Sequence, residues 1–235
     1  MNMISILNNI TLLTANFNTP DLTLCMLKSF VKQVGIQVPF LVIDNSTRIP
    51  IPIKSTGSLQ IIDNTNFKLV PNYEQVSANH AASLEYAMQF IRTKYVLLCD
   101  SDILFKPAIK FLLTHIPDGT HAVGECGEDS ASIGKRLYPY MCIFDIEKKK
   151  HDKIPYFDRN RIMVSADGIP YTKTYRPNPG DIPWYDTGAS FLQDIQKAKW
   201  NIHHVSIDNY MEHLKGASNH CLPYKQWLAL HHELY

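Results

Sequence analysis

An apolar run that leads directly into two acidic residues constrains the fold of this chain more than any other feature. Residues 95–99 are mostly apolar, Asp100 and Asp102 follow, and apolar residues resume at Ile103. A short apolar run bounded in this way is typical of a buried strand. In an open α/β sheet, the carboxyl ends of such strands face the ligand crevice. The run therefore predicts an α/β protein with two acids at a ligand site.

The two acids need a partner. Unpaired carboxylates are too costly to keep charged in a dry core. A divalent cation is a suitable partner, because Mg²⁺ and Mn²⁺ prefer oxygen ligands and bridge the phosphates of substrates. The residues thus indicate a metal-diphosphate site, with an acidic turn after a strand as the alternative interpretation.

The composition describes an ordinary globular chain. Its 235 residues suffice for one well-buried domain, and 45% hydrophobic with 19% charged residues exclude a disordered one. A formal charge of +1 argues against a nucleic-acid partner. The five scattered cysteines lack a C-x-x-C pair and fit a reducing compartment. With neither a membrane-spanning apolar run nor a signal peptide in the sequence, we expect a cytoplasmic protein without a transmembrane segment.

Alternating strand and helix patterns predict the arrangement of the sheet. A β-rich run at residues 10–16 precedes Thr19, Pro20 and Asp21, which suit the start of a helix that stops at Gly35. This order favours a mostly parallel central sheet flanked by helices on both faces. Further strand patterns occupy residues 39–46, 59–64, 95–105, 122–126, 140–146 and 202–207, and helical patterns occupy 72–93, 106–115 and 186–198.

Two other stretches have a predicted role. Asn79 and His80 stand near the start of a predicted helix, where backbone N–H groups point at ligands, although His80 is equally consistent with a solvent-facing histidine. Residues 147–184 lose periodicity, and an irregular segment of this length is usually functional when ordered. Its basic run at 148–151 predicts a solvated loop.

Taken together, these motifs resemble the GT-A fold glycosyltransferases, in particular the family-2-like group. Asp44 resembles the acid that ends the family's second strand and binds the nucleotide base, and Asp100-Ser101-Asp102 resembles its acid-x-acid motif. The resemblance extends over about residues 10–105 and is patchy afterwards. It implies one GT-A domain over residues 1–235, with a nucleotide-binding half at about 1–105 and an acceptor-binding half at about 106–235.

The resemblance also implies an activity: transfer of a sugar from a nucleoside-diphosphate-sugar to the hydroxyl of a glycan, polysaccharide or glycoconjugate, with Mn²⁺ or Mg²⁺ as cofactor. Asp102 would ligate the metal directly, Asp100 would reach the metal or the ribose, and His213 would complete the metal site, with His220 as second candidate. The residues that would bind the nucleotide-sugar are Thr14, Asn16, Asp44, Asn79, His80, Asp100 and Ser101.

The reaction needs a base as well as a metal. A sugar that leaves a nucleoside diphosphate sheds a dianion, which a cation stabilises, and direct inverting attack requires a base to take the acceptor's proton. We predict that Asp186 is this base, with Glu125 and Asp129 as alternatives; Asp186 as a mere helix N-cap is the competing interpretation. The family's usual Glu-Asp pair is absent, since the sequence reads Tyr185-Asp186.

Aromatic residues and one arginine are further candidates. The rings at Tyr156, Phe157, Trp184 and Tyr185 are candidates to stack on sugar faces, or else pack in the core or in loops, and Arg176 is a candidate for the diphosphate.

Two other function classes compete with the transferase. A haloacid-dehalogenase-like phosphatase also places Asp-x-Asp after a strand, but it needs a small residue where this chain has Leu104. The phosphatase motif also tends to open the chain, whereas the motif here follows two or three predicted strands. A nucleotide-sugar-binding domain without turnover would keep the same pocket. Sequence alone does not separate it from an active transferase.

Overall fold

The computed structural model describes residues 2–73, 75–128, 135–162, 164 and 185–214. The strands are β1 (Met3–Ile4), β2 (Ile10–Asn16), β3 (Phe40–Asp44), β4 (Leu59–Asp63), β5 (Tyr95–Cys99), β6 (Ile103–Phe105), β7 (Ile116–Pro117), β8 (Ala122–Glu128), β9 (Lys135–Asp145), β10 (Ile202–His204) and β11 (Met211–His213). The α-helices are α1 (Pro20–Val34), α2 (Val76–Ala87), α3 (Ala108–Thr114), α4 (Ile146–His151) and α5 (Ala189–Lys197).

A seven-stranded sheet forms the centre of the molecule. Its order is β10-β8-β9-β5-β2-β3-β4. All neighbouring pairs are parallel except β5 with β9 and β8 with β9. The predicted mostly parallel α/β sheet is therefore confirmed, and it takes strands from both predicted halves of the chain. Two short antiparallel pairs, β1 with β7 and β6 with β11, lie outside it.

Helices cover both faces of the sheet, as the sequence predicted. Residues of β2 alternate between two hydrophobic cores, because successive side chains of a strand point to opposite faces. One core contains Ile10 and Leu12 of β2 with apolar residues of α1 and α3. The other contains Leu13 and Ala15 with apolar residues of α2 and α5.

The prediction of a solvated loop at residues 148–151 is wrong. These residues belong to α4, which begins where the Asp145 carboxylate accepts a hydrogen bond from the backbone N–H of Lys148 (2.9 Å). The Lys149 side chain is only 8% exposed, and its Nζ lies 2.7 Å from Glu85 Oε1. An acidic partner on α2 and a helix cap therefore outweigh the solvation that the basic run suggested.

Gly188, which immediately precedes α5, provides a stability test. It has φ +86°, and a Cβ there would lie 2.3 Å from the backbone oxygen of Leu137. We expect Gly188→Ala to lower the free energy of unfolding by about 2–5 kcal/mol, since left-handed strain and a backbone clash add. Gly119→Ala is the matched control, because Gly119 has φ +77° with nothing within 4 Å of the added Cβ. Urea unfolding measures the stability of both variants. Equal losses of stability would exclude the clash with Leu137 as a cause.

Within the described residues, no helix is both long enough and apolar enough to cross a membrane.

Candidate active site

The two acids of the 95–105 stretch lie in a turn between two strands. β5 ends at Cys99, and β6 begins at Ile103 and leaves the central sheet. β6 pairs with β11 in an antiparallel register that places His213 opposite Ile103. The backbone N–H of Leu214 also donates to the carbonyl of Asp102 (2.8 Å). This pairing brings His213 Nε2 to 3.5 Å from Asp102 Oδ1.

The three predicted metal ligands converge. One ligand atom each from Asp100, Asp102 and His213 lies within 4.8 Å of the others. Donor atoms on an octahedral ion at 2.0–2.1 Å would be separated by about 3 Å when adjacent and about 4.2 Å when opposite. The observed spacing therefore fits a divalent cation, and these residues form a candidate metal site.

Burial and neighbouring charges set the protonation of this triad. Burial raises the pKa of Asp100, the nearby Asp102 adds to this, and His80, whose Nε2 lies 3.6 Å away, opposes it. The hydrogen bond to Asp102 raises the pKa of His213, against the opposing effect of burial. A positive charge beside these two acids, such as a bound cation, would therefore lower the cost of keeping them buried and ionised.

A cavity of about 340 Å³ contains the triad. It opens along the carboxyl ends of β2, β3 and β5, where open α/β sheets bind ligands. The predicted residues Asn79, His80, Asp100, Ser101, Asp102, Asp186 and His213 all line it, together with Ala15, Phe17, Thr19, Asn45, Phe67, Val76, Ser77, Arg136, Pro139, Tyr140 and Thr187.

Asp186 lines this cavity and forms an ion pair with Arg136. Arg136 of β9 donates from Nη1 to Asp186 Oδ2, while the N–H of Thr187 donates to Oδ1 (2.6 Å). Asp186 does not cap α5, because Gly188 occupies the N-cap position and no side chain bonds there. The N-cap interpretation is wrong, and the carboxylate is instead held at the cavity wall.

Three predicted nucleotide-binding residues lie beneath the cavity. Thr14 and Asn16 are completely buried and Asp44 is 3% exposed, and none of them lines the cavity. Asn16 donates to Asp44 and Ser46 and accepts from Thr23. The structure thus places these side chains in the support of the loops after β2 and β3, and their contact with a ligand stays a prediction.

Asn79 lines the cavity, but its amide is occupied. It accepts a hydrogen bond from the N–H of Tyr73 and donates to the carbonyl of Tyr73 and to Asn72 Oδ1. Its clearest structural role is to hold the segment that precedes α2.

Other candidates lie elsewhere. Tyr156 is 2% exposed and packs between Phe144 and Phe191, so it is a core residue and not a sugar platform. Glu125 lines an adjoining cavity of about 400 Å³ that shares Arg136, Tyr140 and His213 with the first. The candidates Asp129, Arg176, Trp184 and His220 lie outside the described residues.

Arg136 and Tyr140 are the main site residues that the sequence reasoning missed. Arg136 is 5% exposed, donates to the Tyr140 hydroxyl (3.0 Å) and lies over the Tyr138 and Tyr140 rings. The signal was present: Arg136, Tyr138 and Tyr140 alternate along β9 and so share one face. The predicted strand began only at Tyr140, which hid this alternation.

Neither the protein-family models nor the curated protein sequences compared with this chain give a match. Among solved structures, the chain is similar to a mannosyltransferase from Pyrobaculum calidifontis in complex with GDP-Man and Mn²⁺ (TM-score 0.49, 12% identity, 84% of this chain and 55% of that one). It is also similar to TarS 1-349 from S. aureus (0.49, 12%, 90% and 62%) and to the catalytic domain of Drosophila beta1,4galactosyltransferase 7 in complex with xylobiose (0.48, 12%, 89% and 72%).

The first and third of these structures are named as glycosyltransferases, and the chain spans 55% and 62% of the lengths of the first two. At 12% identity the likeness concerns the fold. The cavity and its side chains are what indicate a function.

Proposed function

We propose that this protein is a metal-dependent glycosyltransferase that moves a sugar from a nucleoside diphosphate to an acceptor hydroxyl. The observation that carries the proposal is the Asp100–Asp102–His213 triad inside a cavity at the carboxyl ends of the strands. A diphosphate needs a cation, and the triad supplies ligands for one. The cavity also contains an aromatic end, formed by Phe17 and Phe67, which suits a nucleoside.

The triad favours Mn²⁺ over Mg²⁺ as the bound ion. Two carboxylates suit either ion, but Mg²⁺ strongly prefers oxygen ligands and His213 offers nitrogen. An ion held by these residues would stabilise the negative charge that develops on the diphosphate leaving group.

Asp186 is the proposed general base for inverting displacement. Its carboxylate takes the proton of the acceptor hydroxyl as that oxygen bonds to the anomeric carbon, and the diphosphate departs with the electron pair of the broken bond. Arg136 is a positioning residue, because its guanidinium donates to Asp186 Oδ2 and to Tyr140 and thereby fixes the carboxylate.

Metal affinity should depend on pH through His213. Its pKa is raised, and only the neutral imidazole ligates a metal, so a proton and Mn²⁺ compete for it. We expect Mn²⁺ affinity to fall as pH decreases from about 8 to about 6, with protons released on binding. Isothermal titration in buffers of different ionisation enthalpy measures both. In His213→Gln, affinity should be weaker and nearly independent of pH over this range; a wild type that shows no pH dependence would contradict the ligand role.

A donor screen tests the function itself. Purified protein with Mn²⁺ is expected to bind, and slowly to hydrolyse, a nucleoside-diphosphate-sugar from a panel of UDP-, GDP- and dTDP-sugars. Binding with neither hydrolysis nor transfer would support the alternative of a nucleotide-sugar-binding domain. If no donor binds or shifts the melting temperature, the transferase proposal is refuted.

A further inference from the structure

The cavity has an aromatic end that lies apart from the metal triad. Phe17 follows β2, Asn45 follows β3 and Phe67 lies beyond β4, and all three line the cavity. In the sheet, β2 lies between β3 and β5, which precedes the acids. At about 4.8 Å per strand, the carboxyl end of β3 is about 10 Å from that of β5. If the proposed function holds, this is where the base of the nucleotide lies.

Asp44 is already hydrogen-bonded within the protein. Its Oδ1 accepts hydrogen bonds from Asn16 Nδ2 (2.8 Å) and from the backbone N–H and hydroxyl of Ser46 (3.1 and 2.6 Å). Its Oδ2 accepts from the N–H of Ile51 (2.8 Å). The carboxylate is 3% exposed and does not line the cavity, so a base in the cavity would have to displace this loop to reach it.

Asn45 presents a donor in its place. Asn64 Oδ1 accepts from the backbone N–H groups of Leu69 and Val70, so the Asn64 amide nitrogen must be the donor to Asn45 Oδ1 (2.6 Å). Ser83 donates to the same oxygen (3.0 Å). The network therefore fixes the Asn45 amide, and its Nδ2 is the group left to bind a ligand in the cavity.

Thr19 provides a second group. It occupies the N-cap position of α1, as the sequence predicted, but its hydroxyl makes no capping bond. Thr19 is 7% exposed, lines the cavity, and its Oγ1 has no hydrogen-bond partner among the described residues. A buried hydroxyl without a partner is costly, and a ligand in the cavity would provide the missing bond.

Two phenylalanine rings form the wall beside these groups. The centroids of Phe17 and Phe67 are 6.4 Å apart, and Phe17 is 43% exposed. Asn66 and Phe67 both have φ near +60° (58° and 56°), a conformation that non-glycine residues rarely adopt and that is found preferentially at functional sites. The exposed Phe17 ring and the half-buried Phe67 ring give a planar base a surface on which to stack.

We propose that the base is a pyrimidine-2,4-dione, uracil or thymine, stacked on the Phe17–Phe67 pair and recognised through its carbonyl oxygens by Asn45 Nδ2 and the Thr19 hydroxyl. Both groups donate hydrogen bonds, and carbonyl oxygens accept them. Uracil and thymine present two carbonyl oxygens and a single N–H, for which the Thr19 hydroxyl is also an acceptor, whereas guanine presents one carbonyl oxygen and several N–H groups that need acceptors. Among the described residues that line the cavity, the carboxylates are Asp100, Asp102 and Asp186, all at the metal end.

Nucleotide affinities test this proposal. With the full chain and excess Mn²⁺, isothermal titration is expected to show UDP or dTDP binding at least about tenfold more tightly than GDP, because a mismatched base leaves buried polar groups unpaired. Titrations with dUDP and dTDP, which share a deoxyribose, separate uracil from thymine, and UDP against dUDP shows the effect of the 2′-hydroxyl.

Asn45→Asp is the decisive variant. It keeps the oxygen that accepts from Asn64 and Ser83 and replaces only Nδ2, so UDP affinity should fall by about tenfold or more while GDP affinity does not. Thr19→Val removes the second donor and replaces Asn45→Asp as the test if that variant does not fold. Thr120→Val is the matched control, because Thr120 is 3% exposed with an equally unpartnered hydroxyl among the described residues and does not line the cavity.

The outcomes distinguish this proposal from the function on which it rests. If GDP binds as tightly as UDP, or if Thr19→Val and Asn45→Asp both bind UDP like the wild type, the base assignment is wrong and the metal-diphosphate function stands. If none of these nucleotides binds in the presence of Mn²⁺, the proposed function falls, and the base assignment with it.

Discussion

Asp102→Asn is expected to abolish both Mn²⁺ binding and donor turnover. Asp102 is 1% exposed, and one of its oxygens lies 3.5 Å from His213 Nε2. Asparagine keeps the shape but removes the charge that holds the cation. Loss of a residue that only hydrogen-bonds to a metal ligand typically lowers metal affinity by about 10–100-fold. For loss of a direct ligand we therefore expect Mn²⁺ affinity to fall by about 100-fold or more.

Thermal unfolding with and without Mn²⁺ measures this effect. At a Mn²⁺ concentration 100 times its dissociation constant, the wild type should gain about 2.7 kcal/mol of stability, and Asp102→Asn should gain roughly none. Asp118→Asn is the charge-matched control, because Asp118 is exposed and does not line the cavity. Normal Mn²⁺ stabilisation of Asp102→Asn would exclude this residue as a ligand.

Asp186→Asn is expected to lower the transfer rate by about 10²–10⁴-fold while leaving donor affinity nearly unchanged. The amide keeps the volume of the carboxylate and its contact with the Thr187 N–H but cannot take the acceptor's proton. Single-turnover transfer kinetics and donor titration, measured on the same preparation, separate the two effects.

Asp194→Asn is the matched control for this variant. Asp194 lies on α5, pairs with Arg161 (3.0 and 2.5 Å) and does not line the cavity. The control variant therefore also breaks an aspartate–arginine pair, but away from the cavity. Its transfer rate should equal that of the wild type. If Asp186→Asn also transfers normally and Glu125→Gln does not, the base is Glu125.

Much of the nucleotide side was predictable because its signals are local. The strand at 10–16, the helix stop at Gly35 and the acids after 95–99 each depend on neighbours in the sequence, and the structure confirms all three. The resemblance then pointed to His213 as the third ligand, and the structure places it beside the acids.

The interior of the site was less predictable because it depends on contacts between distant segments. Asp186 meets Arg136 across 50 residues, and Asp44 is enclosed by the loop that contains Ser46 and Ile51. Neither relation has a periodic pattern in the sequence. The resemblance assigned Asp44 to the nucleotide base, and this contact stays a prediction. Nothing in the sequence indicated the four hydrogen bonds by which Asp44 supports a loop.

By itself, the sequence determined the α/β class, the order of most strands and helices of the central sheet, and the position of the acidic pair at a strand end, because hydrophobic periodicity and turn residues act over a few neighbours. Only the tertiary structure decided which side chains line the cavity. The pairing of β6 with β11 brings His213 to Asp102, and the hydrogen bond from Asn64 occupies the amide oxygen of Asn45. Both follow from hydrogen bonds between segments far apart in the chain, whose geometry exists only once the sheet has formed.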